Sequence, residues 1–208
     1  MEVNAHDLLR ISSVGSLIVD NPIPDWVCDS LSHASLVVVR RDAAKPEWVP
    51  VGIRGHSRRQ RFPAFLPMEA IIEKVKPEDM VEKRLWMANP RRSQIPALTS
   101  LDRLAEFYSA YGLSWGPTGS VGFELASGVP TAHGGSDLDV VIRAPQRVEQ
   151  RIAKELIEFH ESFPIRIDVQ IETPLGAVSL VEYARGTGTV LVKMNLGPRL
   201  VQDPWINA

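Results

Sequence analysis

The chain has 208 residues, 44% of them hydrophobic and 23% charged, a balance that excludes disorder, collagen-like repeats and a coiled coil. Lys plus Arg is 23 and Asp plus Glu is 25, so the formal net charge of −2 argues against a dedicated nucleic-acid binder. A single cysteine, Cys28, leaves no disulfide framework and no Cys-based zinc site. With a start that lacks a signal peptide's basic and apolar regions, and no apolar run of bilayer length, it points to a cytoplasmic protein without a membrane partner.

Residues 6–13 have helix-like apolar spacing, while 14–19 and 35–40 read as strands from their β-branched runs. The Asn21-Pro22-Ile23-Pro24 stretch is a turn, and 48–53 is a further apolar strand. That strand leads into Arg54-Gly55-His56-Ser57-Arg58-Arg59-Gln60-Arg61, part of a 40–61 segment with seven basic and two acidic residues and a local charge of +5. Arg54, Arg58 and Arg61 carry forked donors suited to phosphate oxygens, although a solvated loop explains the same charge run. Residues 68–75 look helical, Pro77 can occupy the first turn of another helix, and the breaker-rich stretch 88–96 marks a domain boundary. Beyond it Ser100 is a candidate cap for a helix through Leu101, Leu104, Ala105 and Tyr108, with Gly112 as its stop. The helix expected over 146–162 has Val148, Ile152, Leu156 and Phe159 on one face, and strands follow at 165–171 and 189–194.

The chemistry concentrates in Gly116-Pro117-Thr118-Gly119-Ser120 and Ser136-Asp137-Leu138-Asp139. Two residues apart on a strand, Asp137 and Asp139 project from one face, and two such carboxylates repel unless a proton or a shared cation intervenes. With water they suit Mg²⁺. Gly119 and Ser120 can bring backbone N–H groups close to a phosphate, at the positive end of the helix they open. On the later strand Asp168, Gln170 and Glu172 share a face, so Asp168 beside the Asp137 strand would complete a cage for phosphoryl-type transfer. Other readings of these motifs fail. An EF-hand needs more oxygen ligands than Val140-Val141-Ile142 supplies, and no Gly-Lys-Ser/Thr follows Gly119 to make a P-loop. The five histidines (His6, His33, His56, His133, His160) lack metal-ligand spacing, and Ser120 lacks a His and acid relay, which leaves it phosphate binding. His133 leads toward Asp137, and Arg143 either neutralises the carboxylate strand's edge or pairs with a surface acid.

Gly119-Ser120, Asp137-x-Asp139 and Asp168 together resemble the polymerase-β-like nucleotidyltransferase superfamily, with a longer gap between the first two motifs than is usual there. The string Gly119-Ser120-Val121-Gly122-Phe123-Glu124-Leu125-Ala126-Ser127-Gly128, with Ser136-Asp137-Leu138-Asp139, is similar to the malonate decarboxylase holo-acyl-carrier-protein synthase family. So are His6-Asp7-Leu8-Leu9, Val37-Val38-Val39-Arg40-Arg41 and Val51-Gly52-Ile53-Arg54-Gly55 through Arg61, so the resemblance covers nearly the whole chain.

The resemblance implies transfer of the prosthetic group from 2'-(5''-triphosphoribosyl)-3'-dephospho-CoA to a serine of the malonate decarboxylase acyl carrier protein, with release of pyrophosphate. Asp137, Asp139 and Asp168 would then be catalytic and metal-ligating, toward Mg²⁺ or Mn²⁺, with Asp168 as third ligand or base. Gly119 and Ser120 would hold the departing phosphates, and Arg54, Arg58 and Arg61 would bind donor or carrier protein. The expected fold is α+β: a small N-terminal α+β domain over 1–92 and a nucleotidyltransferase-like catalytic domain with a mixed sheet over 93–208. A generic nucleotidyltransferase acting on a small molecule or another protein would use the same carboxylates, whereas a non-catalytic regulator would be expected to have lost one of them.

Overall fold

Runs of valine, leucine and isoleucine in the first 75 residues build a five-stranded antiparallel sheet. The computed structural model describes residues 2–43, 45, 47–55, 57 and 59–206. The strands are β1 (Leu8–Ile11), β2 (Leu36–Val39), β3 (Trp48–Arg54), β4 (Arg61–Pro67) and β5 (Ile71–Val75), in the order β4-β3-β2-β1-β5. Helix α1 (Asp25–His33) covers one face: its Val27 and Leu31 pack on Leu9, Val37, Val51, Ile53 and Leu66. Pro63 and Pro67 fall on β4, an edge strand, where a missing ladder donor is tolerated.

The remainder forms a second layer. It comprises α2 (Pro77–Glu82), α3 (Pro96–Ser109), β6 (Ser114–Pro117), α4 (Gly119–Ser127), β7 (Leu138–Arg143), α5 (Gln150–His160), β8 (Ile167–Thr173), β9 (Gly176–Ser179), α6 (Leu180–Arg185), β10 (Val190–Met194) and β11 (Gly197–Val201). The six strands run β11-β10-β9-β8-β7-β6. β7 and β8 pair in parallel, joined by the α5 crossover, while the other neighbours are antiparallel, so the sheet is mixed. Leu138, Val140 and Ile142 of β7 and Val169 and Ile171 of β8 turn toward the helices and bury there with Leu101, Leu104 and Leu156. The alternate residues, Asp139 and Arg143 on β7 and Asp168, Gln170 and Glu172 on β8, turn to the other face, which looks at the first sheet. The architecture is α+β. Among the described residues no helix is long and apolar enough to cross a membrane.

Leu8, Leu36, Met80 and Phe123 bury together between the two sheets, with Val38 and Val75 beside them. Polar contacts reinforce this seam. Arg143 donates to Asp7 Oδ1 (3.1 Å) and Glu78 Oε1 (2.7 Å), and Arg41 pairs with Glu172. Asp7 is fully buried, and burial pushes its carboxyl upward while the Asn4 N–H and Arg143 act in the opposite direction.

Several local expectations change in this setting. Residues 6–13 contribute strand β1 and not a helix, because β1 lies between β2 and β5 with both faces covered, and a strand apolar on both sides mimics helical spacing. Residues 68–75 give a short 3₁₀ turn followed by β5, since pairing with β1 extends the β-branched Ile71 and Ile72. Residues 14–19 give a 3₁₀ turn and one bridge, Ile18 to Phe65, in place of a strand. Ser100 lies inside α3, where its Oγ donates to the Pro96 carbonyl (2.7 Å), because Pro96 already begins the helix. The first sheet closes at Val75, and α2 packs against β6, so the packing of the second layer begins ahead of the breaker-rich stretch.

Two histidines, His160 buried and His6 half-buried, link this packing to pH. His160 lies 2.8 Å through Nε2 from the Tyr108 hydroxyl, and burial lowers its pKa from 6.5 to about 4. His6 is also lowered to about 4, first by burial and then by Arg41 and Arg143. An unfolded chain protonates such groups below their ordinary pKa while the fold resists, so their contribution is complete above about pH 6.5 and is lost as pH falls toward 4. Thermal unfolding should therefore show a falling Tm between pH 6.5 and 4, with each histidine accounting for up to about 3 kcal/mol. His160→Gln should flatten the slope, and an unchanged slope in that variant would contradict the assignment.

Candidate active site

The carboxylates meet where β7 and β8 run side by side. Asp139 and Asp168 are register partners on these parallel strands, so their side chains leave neighbouring positions on the same face. Asp137 precedes β7 by one residue and is half-buried. Asp139 borders two adjoining clefts. One, of about 350 Å³, is lined by Asp137, Ser120, His133, Arg54 and Arg61. The other, of about 210 Å³, is lined by Asp168, Gln170, Gly119, His6 and the same two arginines. Among the described residues no three His, Cys, Asp or Glu side chains converge closely enough to hold a metal ion by themselves. Asp139 thus stands on both clefts, with Asp137 on one and Asp168 on the other, and the three acids form no preformed cage.

Helix α4 is held directly against this pair. Thr118 N–H donates to the Asp139 carbonyl (2.8 Å), and Gly119 follows with φ of 61°, a left-handed conformation that favours glycine. A Cβ at Gly119 would overlap Asp139 Oδ2. The glycine therefore lets the first turn of α4, with N–H groups that lack intrahelical acceptors, lie on the carboxylate strand. Gly116 serves a similar close approach one strand earlier, where a Cβ would strike the Pro77 backbone.

Arg54 and Arg61 are paired at the ends of β3 and β4, which carry them from the first sheet to the second sheet's carboxylates. Arg58 lies outside the described residues, as does His56. Arg143 pairs with Asp7 across the seam and with the half-buried Glu78 of α2, so it is engaged by acids of both layers. His133 lines the larger cleft, and its Nδ1 accepts the Gly135 N–H (3.1 Å).

Sequence reasoning missed two residues. Glu124, buried on α4, accepts from Arg91 Nη1 (2.8 Å), Asn89 Nδ2 (3.2 Å) and the N–H groups of Thr131 and Ala132 (both 2.9 Å). It fastens to α4 the loop that delivers Asp137. Its signal was a lone acid within the apolar string Val121-Gly122-Phe123-Glu124-Leu125-Ala126. His6, with φ of 75°, enters the smaller cleft beside Glu172 (3.5 Å); its isolation from other histidines gave no sign of that placement.

The comparisons with known proteins match both layers. Residues 4–77 match the N-terminal domain of phosphoribosyl-dephospho-CoA transferase MdcG, and residues 84–204 match its C-terminal domain. The chain belongs to the phosphoribosyl-dephospho-CoA transferase family. The transferase is 43% identical over 200 residues to the phosphoribosyl-dephospho-CoA transferase of Pseudomonas putida strain GB-1, covering 96% of this chain and 94% of the relative. It is 41% identical over 202 residues to that of Azotobacter vinelandii, covering 96% and 93%, and 40% identical over 200 residues to that of Pseudomonas aeruginosa, covering 96% and 92%. No solved structure matches.

Substitutions at the transferase's α4 separate its two roles. Gly119→Ala should displace the α4 turn from Asp139 and lower transfer by roughly a hundredfold or more, measured as kcat on a protein whose circular dichroism is unchanged. Glu124→Leu should cost about 2–3 kcal/mol of unfolding free energy by stranding its buried donors, measured by urea denaturation.

Proposed function

We propose that this enzyme transfers the phosphoribosyl-dephospho-CoA group from 2'-(5''-triphosphoribosyl)-3'-dephospho-CoA to a serine of the malonate decarboxylase acyl carrier protein, releasing pyrophosphate. The observation that carries the reading is the convergence of Asp137, Asp139 and the α4 N-terminus with Arg54 and Arg61 on one cleft. The donor set is oxygen-only and suits Mg²⁺, which commonly takes one or two protein carboxylates and completes its shell with water and substrate phosphates. Asp137 and Asp139, with Asp168 beside them, would hold Mg²⁺ or Mn²⁺, and the ion would offset the negative charge of the triphosphate.

The chain's own groups divide the remaining work. Ser120 and the first N–H groups of α4 face the departing phosphates, where the helix dipole favours an anion. Arg54 and Arg61 bring fixed positive charge from the first sheet to the same oxygens. Asp168 stands at the exposed side of the site with Arg166 3.3 Å away, open to an incoming protein serine. It accepts the hydroxyl proton as the serine oxygen forms its bond to the α-phosphorus and the bond from that phosphorus to the bridging oxygen of pyrophosphate breaks. No nucleophile of the enzyme's own is needed, because the carrier protein supplies it.

Intact mass spectrometry of the purified carrier protein after incubation with enzyme, Mg²⁺ and donor tests this reading. A donor-sized gain less pyrophosphate is expected. Asp139→Asn should reduce the rate by roughly a hundredfold or more, and Asp168→Asn by a similar factor. Mass gain from an ordinary nucleoside triphosphate in place of this donor would move the enzyme to a generic nucleotidyltransferase, and full activity of Asp139→Asn would remove the carboxylates from the mechanism.

A further inference from the structure

One face of β8 forms a wall that continues beyond the acid pair. Asp168 and Gln170 line the cleft of about 210 Å³, and Glu172, the next residue on that face, lines a larger cavity of about 540 Å³. At about 3.3 Å per strand residue, this row spans about 13 Å from Asp168 to Glu172. Its negative charge is compensated at the far end by Arg41, which pairs with Glu172, and the His6 imidazole lies 3.5 Å through Nε2 from the same carboxylate.

Gln170 points to a ligand. Its Oε1 is buried and has no hydrogen-bond partner among the described residues, although it belongs to a side chain in the cleft wall. A buried carbonyl without a donor is costly, so a hydroxyl or amide brought by a bound molecule would complete it. The cavity beyond it combines charge with an aromatic surface: Arg40, paired with Asp42 (2.5 Å), Arg41, Lys45 and Trp48 contribute to its lining, with the acids Asp42 and Glu47 beside them. Trp48 is 39% exposed although it is among the largest apolar side chains, and it sits against Phe65 with ring centroids 6.4 Å apart. Lys45 Nζ lies 3.8 Å from the Phe65 centroid, and so a cation is held next to the open indole. A concave surface of this composition fits a base that can stack and phosphates that need positive partners.

We propose that the larger cavity binds the dephospho-CoA body of the donor, with adenine against Trp48, phosphates toward Arg40 and Lys45, and a ribose hydroxyl donating to Gln170. The inference rests on the preceding reading, in which the triphosphate end lies at Asp137 and Asp139. In the donor two sugars separate the reacting phosphorus from the adenine, and the row Asp168, Gln170, Glu172 runs from the acids to the wall of the cavity that Trp48 also lines.

Dephospho-CoA itself, which lacks the triphosphoribosyl arm, is the probe. Calorimetric titration of the full chain should detect its binding, and Trp48→Ala should weaken it roughly tenfold or more through the lost stacking. Trp48→Phe should stay within about threefold of the parent because it keeps a ring, and it guards against a folding defect in the alanine variant. Gln170→Leu should weaken binding about threefold to tenfold by removing the acceptor. Asp139→Asn should leave the affinity within about twofold while abolishing transfer, since the probe does not reach the acids. No binding to the parent chain at about millimolar probe, or binding that Trp48→Ala leaves unchanged, would overturn the proposal. So would loss of binding in Asp139→Asn, which would place the nucleotide body at the carboxylates. A rise in KM for the carrier protein alone in Trp48→Ala would overturn it too and assign the cavity to the acceptor. Full transfer by Asp139→Asn instead counts against the phosphate placement, so the two readings fail separately.

Discussion

The apolar seam between the sheets is the constraint on which the active cleft depends. A five-stranded sheet covered by one helix has a second face to bury, and Leu8, Leu36 and Val38 bury it against Met80 and Phe123 of the other layer. Phe123 is on α4, the same helix whose first turn rests on Asp139. Packing of the seam therefore fixes the helix, and the helix fixes the Asp139 end of the cleft. The ion pairs of Arg143 with Asp7 and of Arg41 with Glu172 set the register of the two layers, because a buried charge tolerates little displacement from its partner.

Division of labour between the layers follows. The second sheet supplies carboxylates and a helix end, groups that handle a cation and an anion at short range. The first sheet supplies arginines from paired strand ends, fixed charge that needs no metal. On the proposed reading a triphosphate between them would be neutralised from both sides, by a protein of net charge −2 that concentrates a local +5 in one segment. The arginines matter by location, since the same count scattered over the surface would be screened.

The second layer was more legible in the sequence than the first, for physical reasons. Asp139 and Asp168 could be placed on strands because alternation along 138–143 and 167–173 separates a helix-facing apolar set from a polar set, whereas Asp137, also expected on a strand, lies one residue ahead of β7. Gly119 announced a helix start, and the left-handed backbone there explains why glycine stands at that position. β1 was not legible, because Leu8 and Leu9 are both buried on opposite faces and no alternation survives. β5 was obscured in another way: Ile71-Ile72-Glu73-Lys74-Val75 is an edge strand with a helix-compatible composition, and its pairing with β1 is settled by tertiary context. Glu124 and His6 belong to contacts with residues far away in sequence or across the seam, which no local spacing encodes.

The shared seam also limits how such an enzyme can diversify. Arg54 and Arg61 reach the carboxylate cleft from the first sheet and Asp137 and Asp139 reach it from the second, so the cleft is complete only with both halves and neither is an interchangeable module. Removed from its partner, the second layer would present Met80 and Phe123 to water, together with Glu172 without Arg41 and Arg143 without Asp7. New donor specificity in this fold must therefore arise by paired substitutions that track each other across the interface, and a chimera built from two distant relatives inherits a mismatch in its core before it inherits a new activity.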